Sequence, residues 1–79
     1  MNVTHVWVGL TYRNEHAVVD IVYANEKAAT QRAKESTEAV ADELDFPYGK
    51  IGIHDEDGSV EYSIEDELIV GAYRRELVE

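Results

Sequence analysis

Residues 25–46, NEKAATQRAKESTEAVADELDF, contain neither glycine nor proline, and their reading decides the fold. Asn25 is a good helix N-cap, because its side-chain oxygen can take a hydrogen bond from a free amide of the first turn. Glu26 then lies favourably at the positive end of the helix dipole. Ala29, Ala33, Thr37, Val40 and Leu44, with Ala41 beside them, recur at the three- and four-residue spacing of one helical face. The sequence therefore predicts a helix of about five turns from Asn25 to about Leu44. Its inner side chains are small, so it can lie close to a sheet. Pro47 and Gly49 are expected to end it, since the residue before a proline is pushed out of helical geometry and glycine suits the turn that follows.

The flanking segments have strand periodicity. Val6, Val8, Leu10 and Tyr12 alternate with His5, Trp7, Gly9 and Thr11, and Ala17, Val19, Ile21 and Tyr23 alternate in the next segment. Closing this hairpin through residues 13–16 sets Leu10 opposite Val19, Val8 opposite Ile21 and Val6 opposite Tyr23. These six residues are expected to form the buried face under the helix. The same register puts Trp7 beside Val22 and Thr11 beside Val18 on the reverse face, so Trp7, Val18 and Val22 are a candidate oligomer face. Downstream, Ile51 and Ile53 share a side with Val60, Tyr62 and Ile64 around Asp57-Gly58, with a two-residue turn (Ile53 opposite Tyr62) or a four-residue loop (Ile53 opposite Val60) both open. Leu68-Ile69-Val70 and Gly71 favour a final strand, although Ile69, Tyr73 and Leu77 also fit helical spacing. The expected class is α+β over residues 1–79: a single domain with one helix packed on one face of an antiparallel sheet, in the order β-β-α-β-β-β.

Seventeen acids against seven bases give a net charge of -10. Such a chain repels phosphate backbones and anionic membrane surfaces, so neither direct nucleic-acid binding nor membrane binding is expected. With no cysteine there is no disulfide or thiolate ligand. The longest nearly apolar run is Leu68 to Ala72, and the amino terminus has no export signal, which points to the cytoplasm. Three lysines only, with apolar content drawn largely from alanine and valine, suit a protein of a high-salt habitat.

The hairpin Val6-Trp7-Val8 to Val19-Asp20-Ile21-Val22-Tyr23, the opening Asn25-Glu26-Lys27-Ala28 and the late strand together resemble short uncharacterised proteins of tailed viruses and archaeal mobile elements. That resemblance implies a genomic context and carries no catalytic motif, and residues 50–64 look like an insertion relative to the shortest members.

No catalytic, cofactor or metal site is expected. The segment His54-Asp55-Glu56-Asp57-Gly58 imitates part of a calcium loop, but the first and twelfth ligand positions would be Ile53 and Ile64, so it reads as a turn. His5, His16 and His54 lack close ligand spacing, although His16 and His54 both fall near strand ends where a shared zinc site is conceivable. Ser36, Ser59 and Ser63 are in no glycine-rich elbow, and the dispersed glycines form no phosphate loop. Arg74-Arg75, the only adjacent basic pair, has Glu61, Glu65 or the acids of a neighbouring subunit as candidate partners.

Two functional readings remain. In one, Glu38, Asp42, Glu43 and Asp45, crowded at the negative end of the helix dipole, join Asp55, Glu56 and Asp57 in an acidic edge that imitates a phosphate track and binds a basic surface on a host or defence protein. In the other, the chain is a structural domain that self-associates, as a dimer for instance, and its acidity reflects habitat alone. Under either reading self-repulsion weakens the fold at low salt. The melting midpoint is expected to rise between ~0.1 M and ~2 M potassium chloride, as the Debye length contracts from about 10 Å to less than 3 Å. A midpoint that does not move over that range would contradict this expectation.

Overall fold

A computed structural model describes residues 3–78, and the expected class and element order hold. Strands β1 (Val3–Arg13) and β2 (His16–Tyr23) are followed by helix α1 (Glu26–Glu43) and a short 3-10 turn (Tyr48–Lys50). Strands β3 (Gly52–Glu56), β4 (Ser59–Ile64) and β5 (Leu68–Val78) complete the sheet. All neighbouring pairs are antiparallel, in the order β2-β1-β5-β4-β3. The late segment with mixed periodicity is thus a strand, and it lies at the centre of the sheet.

The β1–β2 and β3–β4 hairpins each close through two residues with positive φ, Asn14 (54°) with Glu15 (66°) and Asp57 (49°) with Gly58 (77°). That left-handed pair matches the natural twist of the strands. In the second hairpin it selects the two-residue alternative, with Ile53 opposite Tyr62.

The side of the sheet that α1 covers is the reverse of the expected one. On β4, Val60, Tyr62 and Ile64 alternate with Glu61 and Ser63, so this strand is apolar on one side only. Turning it over would bury a carboxylate, at a cost of several kcal/mol. Its partners on β5 are Ala72, Val70 and Leu68, and theirs on β1 are Gly9, Thr11 and Arg13. Strand β1 is apolar on both sides and follows its neighbour, turning Trp7, Gly9 and Thr11 toward the helix. Val6, Val8, Leu10 and Val19, expected in the core, therefore face away from α1.

A β-bulge completes the correction. Leu10 pairs with Val19 as expected, but Val8 pairs with Val22 and Trp7 with Tyr23, so Asp20 and Ile21 together oppose Gly9. A Cβ on residue 9 would stand 3.3 Å from both the Asp20 Cβ and the Ile21 carbonyl oxygen, a tight fit that glycine avoids. The extra residue turns Tyr23 to the helix side, where it packs on the core beside Trp7, and leaves Ile21 exposed.

The helix itself matches its sequence closely. The Asn25 side-chain oxygen accepts from the Ala28 amide at 2.8 Å, and Ala29, Ala33, Thr37 and Ala41 are the buried stripe. Val40 packs on this core while Leu44, at the C-cap, is exposed. The buried Thr37 hydroxyl donates to the Ala33 carbonyl at 2.8 Å, so no polar atom is stranded there. The helix ends where expected, at Glu43 with Leu44 as C-cap, but the cap is completed before Pro47 and Gly49. The Phe46 amide donates to the Ala41 carbonyl (2.8 Å) and the Asp45 amide to that of Asp42 (3.3 Å), a Schellman motif that needs residue 45 at a left-handed φ of 55°. Asp45 is a poor occupant, being neither glycine nor favourable at a negative helix end. Asp45→Gly is expected to stabilise the fold by about 1 kcal/mol, a rise of roughly 4–8 °C in melting midpoint. An unchanged or lower midpoint would show that the left-handed cap carries no strain.

Candidate functional site: the open side of the sheet

With α1 on one side only, the opposite side of β2-β1-β5 has no covering layer among the described residues. It presents Val6, Val8, Leu10 and Tyr12 from β1, flanked by Val19 and Val22 from β2 and by Ile69, Tyr73 and Leu77 from β5. Val19 and Val22 are 60% and 55% exposed, and Tyr12, Ile69 and Leu77 are also exposed. None of the open-side residues of these three strands is acidic, and the one cation is Arg75. Asp20 and Glu76 project to the helix side, the former 3.6 Å from Arg32.

One side-chain cluster braces this face. The Tyr73 ring lies where a Cβ on residue 71 would stand, so it covers the backbone of Gly71 and leaves that glycine buried. Its hydroxyl donates to the Glu61 carboxylate at 2.6 Å, and the Arg75 guanidinium lies 5.5 Å from the ring centroid. Burial and the hydrogen bond to Glu61 push the Tyr73 phenol up to about 12. Arg75 thus pairs with neither Glu61 nor Glu65; its guanidinium donates to the Arg74 carbonyl. Arg74 lies 3.3 Å from the His5 ring.

The expected oligomer face is divided. Trp7 is on the helix side, where its indole N–H donates to the Gly58 carbonyl at 2.9 Å and ties β1 to the second hairpin turn. Val18, opposite Thr11, shares that side but lies beyond the reach of α1 and is 62% exposed. Of the three, only Val22 is on the open side. The residues that sequence reasoning missed here are Tyr12, Ile69 and Leu77. Gly9 was the available signal, because a glycine inside a strand often marks a bulge that changes which residues share a side.

The acids of the expected edge are held at two ends of the sheet. Glu43 is 3.7 Å from Arg13, and Asp42 accepts from the Tyr48 hydroxyl at 2.6 Å, an interaction that pushes that phenol up to about 12. Asp45 follows at the same helix end. Asp57, by contrast, adjoins Gly58, which is bound by Trp7. Arg13 and Trp7 are six residues apart on β1, roughly 20 Å along the strand. Between the two groups, Glu38 and Asp55 add their fields to burial in raising the phenol of Tyr62. Glu56 and Asp57 line an open concavity of about 570 Å³ at the hairpin end, where His5, His54, Arg74 and Arg75 face acids including Glu61 and Glu76. The two charge signs are mixed, so the concavity favours neither an anion nor a cation.

His16 and His54 occupy β2 and β3, the two opposite edges of the sheet, about 19 Å apart across four strand spacings. They share no site. Among the described residues no group of three or more metal-ligating side chains is placed to hold an ion, and no helix is long and apolar enough to cross a membrane. No protein-family model matches the chain, and no curated protein or solved structure matches it either.

The Tyr73 cluster gives a pH test. Its phenol titrates near 10 when unfolded and about 12 when folded, so its contribution is complete below pH 10 and is lost as pH rises through about 12. Tyr73→Phe is expected to cost about 1 kcal/mol at pH 7. The difference in melting midpoint between wild type and variant should then shrink above pH 10. A difference that stays constant up to pH 12 would remove the Glu61 hydrogen bond as its cause.

Proposed function

We propose that this chain is a non-catalytic interaction domain whose working surface is the open side of β2-β1-β5. The observation that carries this reading is an apolar sheet face with no acid from β2, β1 or β5, and only Glu61 of β4 at its margin, on a chain of net charge -10. A contiguous apolar patch of a few hundred Å² is the size of the largest patch on a typical monomer, which is often a contact surface. On this reading the acids serve solvation in a salty cytoplasm. An acidic edge docking a basic partner is supported less well, because Asp42 and Glu43 already have partners within the chain.

A photo-crosslinking residue placed at Val19, or at the exposed helix residue Lys34 for comparison, tests the reading in cells that express the protein. Discrete adducts are expected from position 19 and not from position 34. Adducts from position 34 alone, or from neither position, would overturn it.

A further inference from the structure

We infer that the occupant of the open side is a second copy of this chain, packed face to face; this inference rests on the reading just proposed. A two-fold contact requires a patch that complements itself. The acidic surfaces of two copies repel, whereas β2, β1 and β5 put no acid on their open side, and the one carboxylate at its margin, Glu61 of β4, is held by the Tyr73 hydroxyl, so this side meets its own copy at less cost. A strongly basic partner would find only the Glu61 carboxylate, already engaged by Tyr73, and an anionic lipid surface would be repelled by the chain as a whole.

Packing supports the same occupant. Tyr12, Val19, Val22 and Leu77 are more than one-third exposed, and α1 supplies a layer on the other side only. A second sheet at about 10 Å would give the order helix, sheet, sheet, helix, in which each open side becomes a core. Charge sets the direction. Arg75 is at one end of the open side, and the turns at the other end hold Glu15 and, in residues 65–67, three acids. Copies packed head to tail place Arg75 over an acidic turn, whereas head-to-head copies oppose arginine to arginine. The patch is about three strands by seven residues, roughly 14 Å by 23 Å. That is about 640 Å² over two copies, below the range of stable specific interfaces, so the expected dimer is weak and dissociates at roughly hundreds of micromolar.

Sedimentation velocity of the full chain over ~1–500 µM, in ~0.15 M and ~2 M potassium chloride, tests the inference. Wild type is expected to be partly dimeric at the upper concentrations in high salt. The double variant Val19→Lys, Val22→Lys should weaken dimerisation at least tenfold, although its added cations reduce repulsion between copies. Val18→Lys, on the same strand but the helix side, should leave the constant within about threefold. Helical circular dichroism establishes that each variant folds, and Leu77→Lys replaces the double variant if that one does not. A wild type that stays monomeric in both salts, or equal weakening by Val18→Lys, overturns the inference. Adducts at position 19 to a different protein would sink the second-copy assignment yet keep the interaction reading, and absence of any adduct there would sink both.

Discussion

The pairing of β1 with β5 governs the architecture. It registers residues 3–13 against residues 68–78 without interruption and places these two strands at the centre of the sheet. Every choice of side then propagates from β4, through β5, to β1. Because Leu68, Val70 and Ala72 must face the helix, so must Arg13, Thr11 and Gly9, whatever β1 would do alone. The cost is entropic, since strands from opposite ends of the described chain have to meet before any of these contacts forms.

The helix adds a thin layer. Its stripe of Ala29, Ala33, Thr37 and Ala41 permits close approach to β4 and β5, but alanine removes little apolar area from water, at about 25 cal/mol per Å². Larger side chains come from the sheet, with Ile64 and Leu68 almost fully enclosed. Burial also leaves a flaw at the Tyr23 hydroxyl, which has no hydrogen-bond partner among the described residues. The bulge that turns Tyr23 inward fills space beside Trp7 while desolvating a polar atom.

Where the sequence was legible, one signal dominated locally. The Asn25 cap, the four-residue spacing of Ala29, Ala33, Thr37 and Ala41, and the Asp57-Gly58 turn depend on neighbours a few residues away, and all appear in the structure. The side assignment of the first hairpin was not legible. Val6, Val8 and Leu10 on one side and Trp7 on the other are nearly equal claims on the core, and a partner distant in sequence settles them. A single inserted residue opposite Gly9 then moves Val22 and Tyr23 to opposite sides from those of regular alternation. The candidate surface inherited both errors. Val22 was identified with the wrong companions, while Ile69 and Leu77 escaped notice because β5 had no assigned neighbour.

The central position of β5 has a consequence for biosynthesis. Translation is vectorial, and residues 68–78 leave the ribosome after the other four strands. Until then the outer edge of β1 and the free edge of β4 have no partner, and the two hairpins have nothing to join them. The nascent chain can form α1 and two isolated hairpins, which are marginal alone, but not the sheet. Assembly is therefore postponed until β5 emerges, and in that interval unpaired edges and apolar strands are available to chaperones and to neighbouring nascent chains.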